Sequence, residues 1–109
     1  MSYPKLVRDR IPAIIAESGR SCRTTVLTEP AFRAALLAKL VEEAQEVQAA
    51  VPEELLTELA DVLEVFDSVL ATYQLTMDQV RQLQQGRRQA RGGFESRLQL
   101  DWVGEPNCR

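Results

Sequence analysis

The chain contains no histidine. That absence removes the His–Ser and His–Cys pairs of nucleophilic catalysis and the usual histidine-bearing zinc sites. Cysteine is nearly as scarce. Cys22 and Cys108 are the only two, far apart and without metal-ligand spacing, and they read as ordinary thiols of a reducing cytoplasm rather than as a disulfide. No apolar run approaches the roughly 18 residues of a membrane span. The opening MSYPKLVRDR is too polar for a signal segment, so the expectation is a cytoplasmic protein with no membrane partner. Positive charge is not in excess either. A net charge of −3 argues against general binding to a nucleic-acid polymer. No repeat or low-complexity tract breaks the chain.

What is present fits one small helical domain spanning residues 1–109. The apolar content of 45% is ordinary for a globular chain, and 109 residues allow only a modest core. A chain this short often gains buried area by associating with copies of itself.

Punctuation along the sequence predicts the elements. Pro12 suits the first turn of a short helix that Gly19 ends. SCRTTVLT, residues 21–28, is rich in β-branched types and reads as a strand. Glu29 and Pro30 open a long helix to about residue 50, with Leu36, Leu40, Ala44 and Val47 at helical spacing. Pro52 stops it and starts another, strongly apolar from Leu55 to Tyr73. Thr76 and Gln79 form a capping-box start for a helix to about Gln85. The glycine-punctuated GRRQARGGF reads as a basic loop, and SRLQLDWV as a second strand. The expected fold is therefore mainly α: an antiparallel helical bundle completed by oligomerisation. A small two-stranded β element would pair residues 22–28 with residues 97–103.

Two acidic stretches, VEEAQEV and ELADVLEV, depart from a solvated helix face. On a wheel of about 100° per residue, Glu43 falls between Phe32 and Leu36, inside the apolar stripe. A carboxylate there costs several kcal/mol in desolvation unless it is paired, protonated or bound to metal. Glu46 and Lys39 lie beside it, with Glu42 further round. On the next helix, Glu58 sits at the rim of the Leu55–Leu59–Val62–Phe66 stripe, and Val65 lies between the directions of Glu58 and Asp61. In each helix the acids are three residues apart, on adjacent turns of one face. The short Val51–Pro52 connection makes the helices antiparallel neighbours, so the two pairs can converge. Four carboxylates without a soft ligand suit a hard divalent cation such as Mg²⁺, with Mn²⁺ a substitute. Such an ion commonly completes its shell with substrate phosphates. Glu42 is a candidate base for an attacking water, and Glu64 a competitor.

Glu42-Glu43-x-x-Glu46 followed by Glu58-x-x-Asp61 resembles the EExxE…ExxD signature of the MazG-like all-α nucleoside triphosphate pyrophosphohydrolases. That superfamily includes phosphoribosyl-ATP pyrophosphohydrolase and the dimeric dUTPases. The ends, YPKLVRDRIP and ARGGFESRLQL, look like a small subgroup described as phosphoribosyl-ATP pyrophosphohydrolase-like, so the resemblance spans nearly the whole chain. It implies Mg²⁺-dependent cleavage between the α- and β-phosphates of a nucleotide, with Glu43, Glu46, Glu58 and Asp61 as metal ligands and a supporting or base role for Glu42. It also implies dimers or tetramers in which helices of two subunits build one bundle. The lysine and arginine that many relatives carry on a long later helix have no clear counterpart, and Arg91 is the substitute.

Triphosphate needs cationic contacts beyond the ion itself. Lys5, Arg8 and Arg10 near one end, and Arg87, Arg88, Arg91 and Arg97 near the other, supply the donors. Arginine grips phosphate bidentately and is the stronger type. Tyr73 and Trp102 could stack on a base, though a small core with one tryptophan usually buries it. The leading expectation is housekeeping hydrolysis of standard or damaged nucleoside triphosphates. Alternatives are hydrolysis of phosphoribosyl-ATP and a catalytically silent helical oligomer that binds nucleotide or a protein partner.

Overall fold

The computed structural model describes residues 4–106. Their regular structure is helical: α1 (Ile11–Glu17), α2 (Glu29–Ala49), a 3-10 turn at Pro52–Glu54, α3 (Leu55–Thr72) and α4 (Met77–Arg91). The chain divides into two compact units, Met1–Leu75 and Thr76–Arg109. No described helix is long and apolar enough to cross a membrane.

In the first unit, local chemistry sets the helix limits. Pro12 lies in the first turn of α1, where its missing N–H goes unneeded. The chain leaves α1 through Gly19 at φ +83°, a conformation costly to any residue with a Cβ. Thr28 caps α2, its hydroxyl accepting from the Ala31 amide at 3.4 Å. Glu29 in the first turn also accepts from Arg33 at 2.7 Å. Val51 is extended (φ −73°, ψ 156°) because the proline after it disfavours helical backbone. That ends α2, and the next helix starts within a few residues.

α2 and α3 pack against each other, and two contacts fix their direction. Glu43, late in α2, meets Glu58 and Asp61, early in α3. Arg33, early in α2, stacks its guanidinium over the ring of Tyr73, just past the end of α3, at 5.1 Å from the centroid. The helices are therefore antiparallel. Among the described residues, the buried apolar side chains are Leu36 on α2 with Val65 and Leu70 on α3. Along α2 the packed face follows Phe32, Leu36, Lys39, Glu43 and Val47.

The packed face of α3 is not its most apolar one. Leu55, Leu56, Leu59 and Leu63 are exposed. Covered instead are Glu58, Asp61, Val62, Val65, Phe66 and Val69. Of the expected Leu55–Leu59–Val62–Phe66 stripe, only its Val62 and Phe66 edge is shielded. α3 has two apolar sides, and the one with Val65 at its centre meets α2.

In the second unit, Thr76 and Gln79 form a complete capping box. The Gln79 amide donates to the Thr76 hydroxyl at 3.1 Å, and the Thr76 amide to the Gln79 side chain at 2.8 Å. α4 then runs to Arg91 rather than to about Gln85, so most of the expected basic loop is helix. Gly86 costs roughly 1 kcal/mol there. Good helix formers around it, and Arg88 and Arg91 at the negative end of the helix dipole, offset that. Gly92 at φ +82° closes the helix.

The expected two-stranded element is a correction. No strand occurs among the described residues, and 22–28 and 97–103 are irregular. Strand formation requires a hydrogen-bonded ladder and a buried face. The alternating residues have no such face: Val26 is 98% exposed and Leu98 89%. Trp102 is likewise exposed instead of packed in a core. Cys22 is an exposed free thiol, while Cys108 lies outside the described residues.

Candidate functional site

Glu43, Glu58 and Asp61 form the most concentrated set of carboxylates in the first unit. Each offers one oxygen, and the three oxygens lie within 4.8 Å of one another. Helix spacing explains the convergence. Glu43 continues the packed face of α2 one turn beyond Lys39, and Glu58 and Asp61 share the packed face of α3 around Val65. The Glu43 side chain is only 13% exposed, as expected for a residue on that stripe. Asp61 is half-buried, and so is Glu58.

Such crowding has an electrostatic signature at Glu58. Desolvation, followed by the charges of Asp61, Glu46, Glu43 and Glu54, holds its pKa above the ordinary carboxylate value. Each effect disfavours the ionised form. Two cations oppose the repulsion. Arg8 Nη2 donates to Asp61 Oδ1 at 2.8 Å. Lys39 Nζ lies 3.4 Å from Oε1 of Glu42 and 3.4 Å from Oε1 of Glu43.

These contacts divide the expected site residues. Glu43, Glu58 and Asp61 come together. Glu46 lies outside the triplet, exposed, although its charge is felt at Glu58. Glu42 is half-buried and faces an open cleft of about 360 Å³, which Lys5 and Lys39 also line. Glu64 is exposed. Of the basic candidates, Arg8 reaches the triplet, while Lys5 lines the cleft. Arg10 is the exposed residue preceding α1. Arg91 and Arg97 belong to the second unit, in the last turn of α4 and in its tail respectively. There Arg88 pairs with Glu95 and holds that carboxyl below its ordinary range. Tyr73 is engaged by Arg33, whose Nε is buried without a hydrogen-bond partner.

Lys39 is the site residue that sequence reasoning passed over. It was visible on the apolar side of α2 but carried no role. Its signal is spacing: three residues before Glu42 and four before Glu43, it can reach both carboxylates.

The triplet's chemistry suits a hard cation. Three anionic oxygen donors from two helices, without sulfur or imidazole, match the preferences of Mg²⁺ and Mn²⁺, and a three-oxygen set leaves coordination positions for water or phosphate. Comparisons with protein-family models, with curated proteins and with solved structures find no match for this chain.

Proposed function

We propose that this chain is a Mg²⁺-dependent nucleoside triphosphate pyrophosphohydrolase of the MazG-like kind. It would release a nucleoside monophosphate and pyrophosphate, in housekeeping removal of standard or damaged nucleotides. The carrying observation is the convergence of Glu43, Glu58 and Asp61 from two helices. Bringing like charges together on a packed face is unfavourable by itself, and a shared cation would turn that repulsion into attraction. Glu46, one turn beyond Glu43, is the fourth carboxylate of the proposed ligand set.

When bound, the ion supplies charge neutralisation and polarisation at the phosphoanhydride. The remaining roles fall to side chains. Glu42 lines the cleft outside the triplet, a position suited to accepting a proton from an attacking water. Arg8 restrains Asp61 through its 2.8 Å bond and has further N–H groups to offer a phosphate.

We propose further that the working form is a homo-oligomer, a dimer or tetramer. Support comes from α3, whose exposed Leu55, Leu56, Leu59 and Leu63 make a leucine face beside the one packed on α2. Burying such side chains is worth roughly 1.5–3 kcal/mol each.

The ion pairs of Arg8 and Lys39 with the acids favour a second reading, in which the charges are a structural network of a silent helical oligomer. A pyrophosphate-release screen over nucleoside triphosphates and phosphoribosyl-ATP, with and without Mg²⁺, separates the two. Metal-dependent release of pyrophosphate supports the hydrolase. Nucleotide binding without turnover at any Mg²⁺ concentration supports the silent oligomer and removes the enzyme.

A further inference from the structure

Lys39 occupies a boundary. On one side its ammonium group touches Glu43, a member of the carboxylate triplet, and Glu42, each at 3.4 Å. On the other it lines the cleft of about 360 Å³ between the N-terminal segment, through Lys5 and Leu6, and the Ala35–Ala38 side of α2. Its side chain is only 15% exposed, so the charge is held in position instead of sweeping through solvent. An ammonium has three N–H donors and no acceptor. Contacts of 3.4 Å are longer than the 2.7–2.9 Å of a committed charge-assisted bond. With contacts to two carboxylates, Lys39 has a third N–H donor to offer another acceptor. The small side chains of Ala35 and Ala38 leave room for one, and Lys5 adds a second cation to the cleft lining.

We propose that the cleft receives the phosphate chain of the substrate, and that Lys39 binds a phosphate oxygen there. This rests on the metal-dependent hydrolase reading and deepens it by naming the phosphate subsite and the residue joining it to the carboxylates. The cleft's ligand class is polyphosphate, with inorganic pyrophosphate as the minimal form.

The test uses the full chain in its native assembly, as wild type, Lys39→Gln and Lys39→Arg. It measures Mn²⁺ binding alone by electron paramagnetic resonance, inorganic pyrophosphate binding at saturating Mn²⁺ by calorimetry, and kcat and KM for the best nucleotide. For Lys39→Gln the expectation is pyrophosphate affinity weakened about tenfold or more, the scale of one lost charge-assisted bond, with a matching rise in KM. Mn²⁺ affinity is retained or tightened, because a cation next to Glu43 has been removed. Lys39→Arg restores most of the pyrophosphate affinity.

Unchanged pyrophosphate affinity and KM in Lys39→Gln, with wild-type Mn²⁺ binding and turnover intact, would overturn the subsite and leave the hydrolase standing. Weakened Mn²⁺ binding with unchanged KM would reduce Lys39 to a structural clamp and also overturn it. Absence of Mn²⁺ binding and turnover in the wild type removes both readings together. If Lys39→Gln loses helical content, Lys5→Gln carries the same test from the other wall of the cleft. A smaller rise in KM is then expected, and no rise would reject the cleft as a phosphate site.

Discussion

The first compact unit and the second are both helical, for different reasons. In the first, Leu36, Val65 and Leu70 are buried, and Glu43, Glu58 and Asp61 are partly shielded where α2 and α3 pack. In the second, α4 has a full capping box, cations at its C-terminus and a glycine stop, yet none of its described residues is buried. Local signals alone are enough to mark out a helix such as α4, but packing of an apolar face supplies most helix stability in proteins. The three carboxylates are half-buried where α2 and α3 pack, whereas the arginines of α4 and its tail are exposed.

The sharpest way to break this contrast is to remove single carboxylate charges from the packed faces. Glu43→Gln and Asp61→Asn should each lower Mg²⁺-dependent turnover by more than the roughly 100-fold typical of losing an outer-sphere partner, with the helical circular dichroism unchanged. Arg91→Gln and Arg97→Gln measured alongside would show whether the second unit shares the work. A loss as large in either would move the phosphate site there.

Next in size is the leucine side of α3. Replacing Leu55, Leu59 and Leu63 together by serine should shift the sedimentation coefficient toward a single chain, while each chain keeps its α2–α3 pair. An unchanged coefficient would show that association, if any, uses another surface.

A smaller effect concerns Glu58, whose raised pKa has a definite sign in stability. The folded chain holds the Glu58 proton more tightly than the unfolded chain does. Its contribution is therefore fully present below the unfolded carboxylate pKa and lost as pH rises through the folded value. Without divalent metal, Glu58→Gln should raise the melting temperature at neutral pH and flatten its dependence on pH across the mildly acidic range. The same substitution should erase any stabilisation by Mg²⁺. A variant that melts below wild type at neutral pH in a chelator would contradict the crowding described for the triplet. Smallest is Thr76→Ala, expected to cost α4 about 1 kcal/mol, seen as faster hydrogen exchange at the Gln79 amide.

Much of the first unit was legible beforehand. Pro12, Pro30 and Pro52 marked helix starts, because proline restricts the backbone around it whatever the tertiary context. Glu43 stood out because a charge on an apolar stripe is anomalous in any packing. The limits of legibility have equally physical causes. α3 is apolar on two sides, and periodicity does not say which side a neighbour covers. Gly86 looked like a stop, but one glycine costs too little to end a helix flanked by glutamine and arginine. The alternating pattern of residues 97–103 signals a strand only where a ladder partner exists. The cleft that Lys39 lines was not legible, because the N-terminal segment and α2 create it together.

The most direct test of the central claim is a Mn²⁺ titration followed by electron paramagnetic resonance, on wild type and on Asp61→Asn, with a nucleotide present. A saturable Mn²⁺ site is expected in the wild type, displaced by excess Mg²⁺ and lost in Asp61→Asn. A free-ion signal that wild-type protein leaves undiminished at millimolar Mn²⁺, or a site that survives intact in Asp61→Asn, would contradict it.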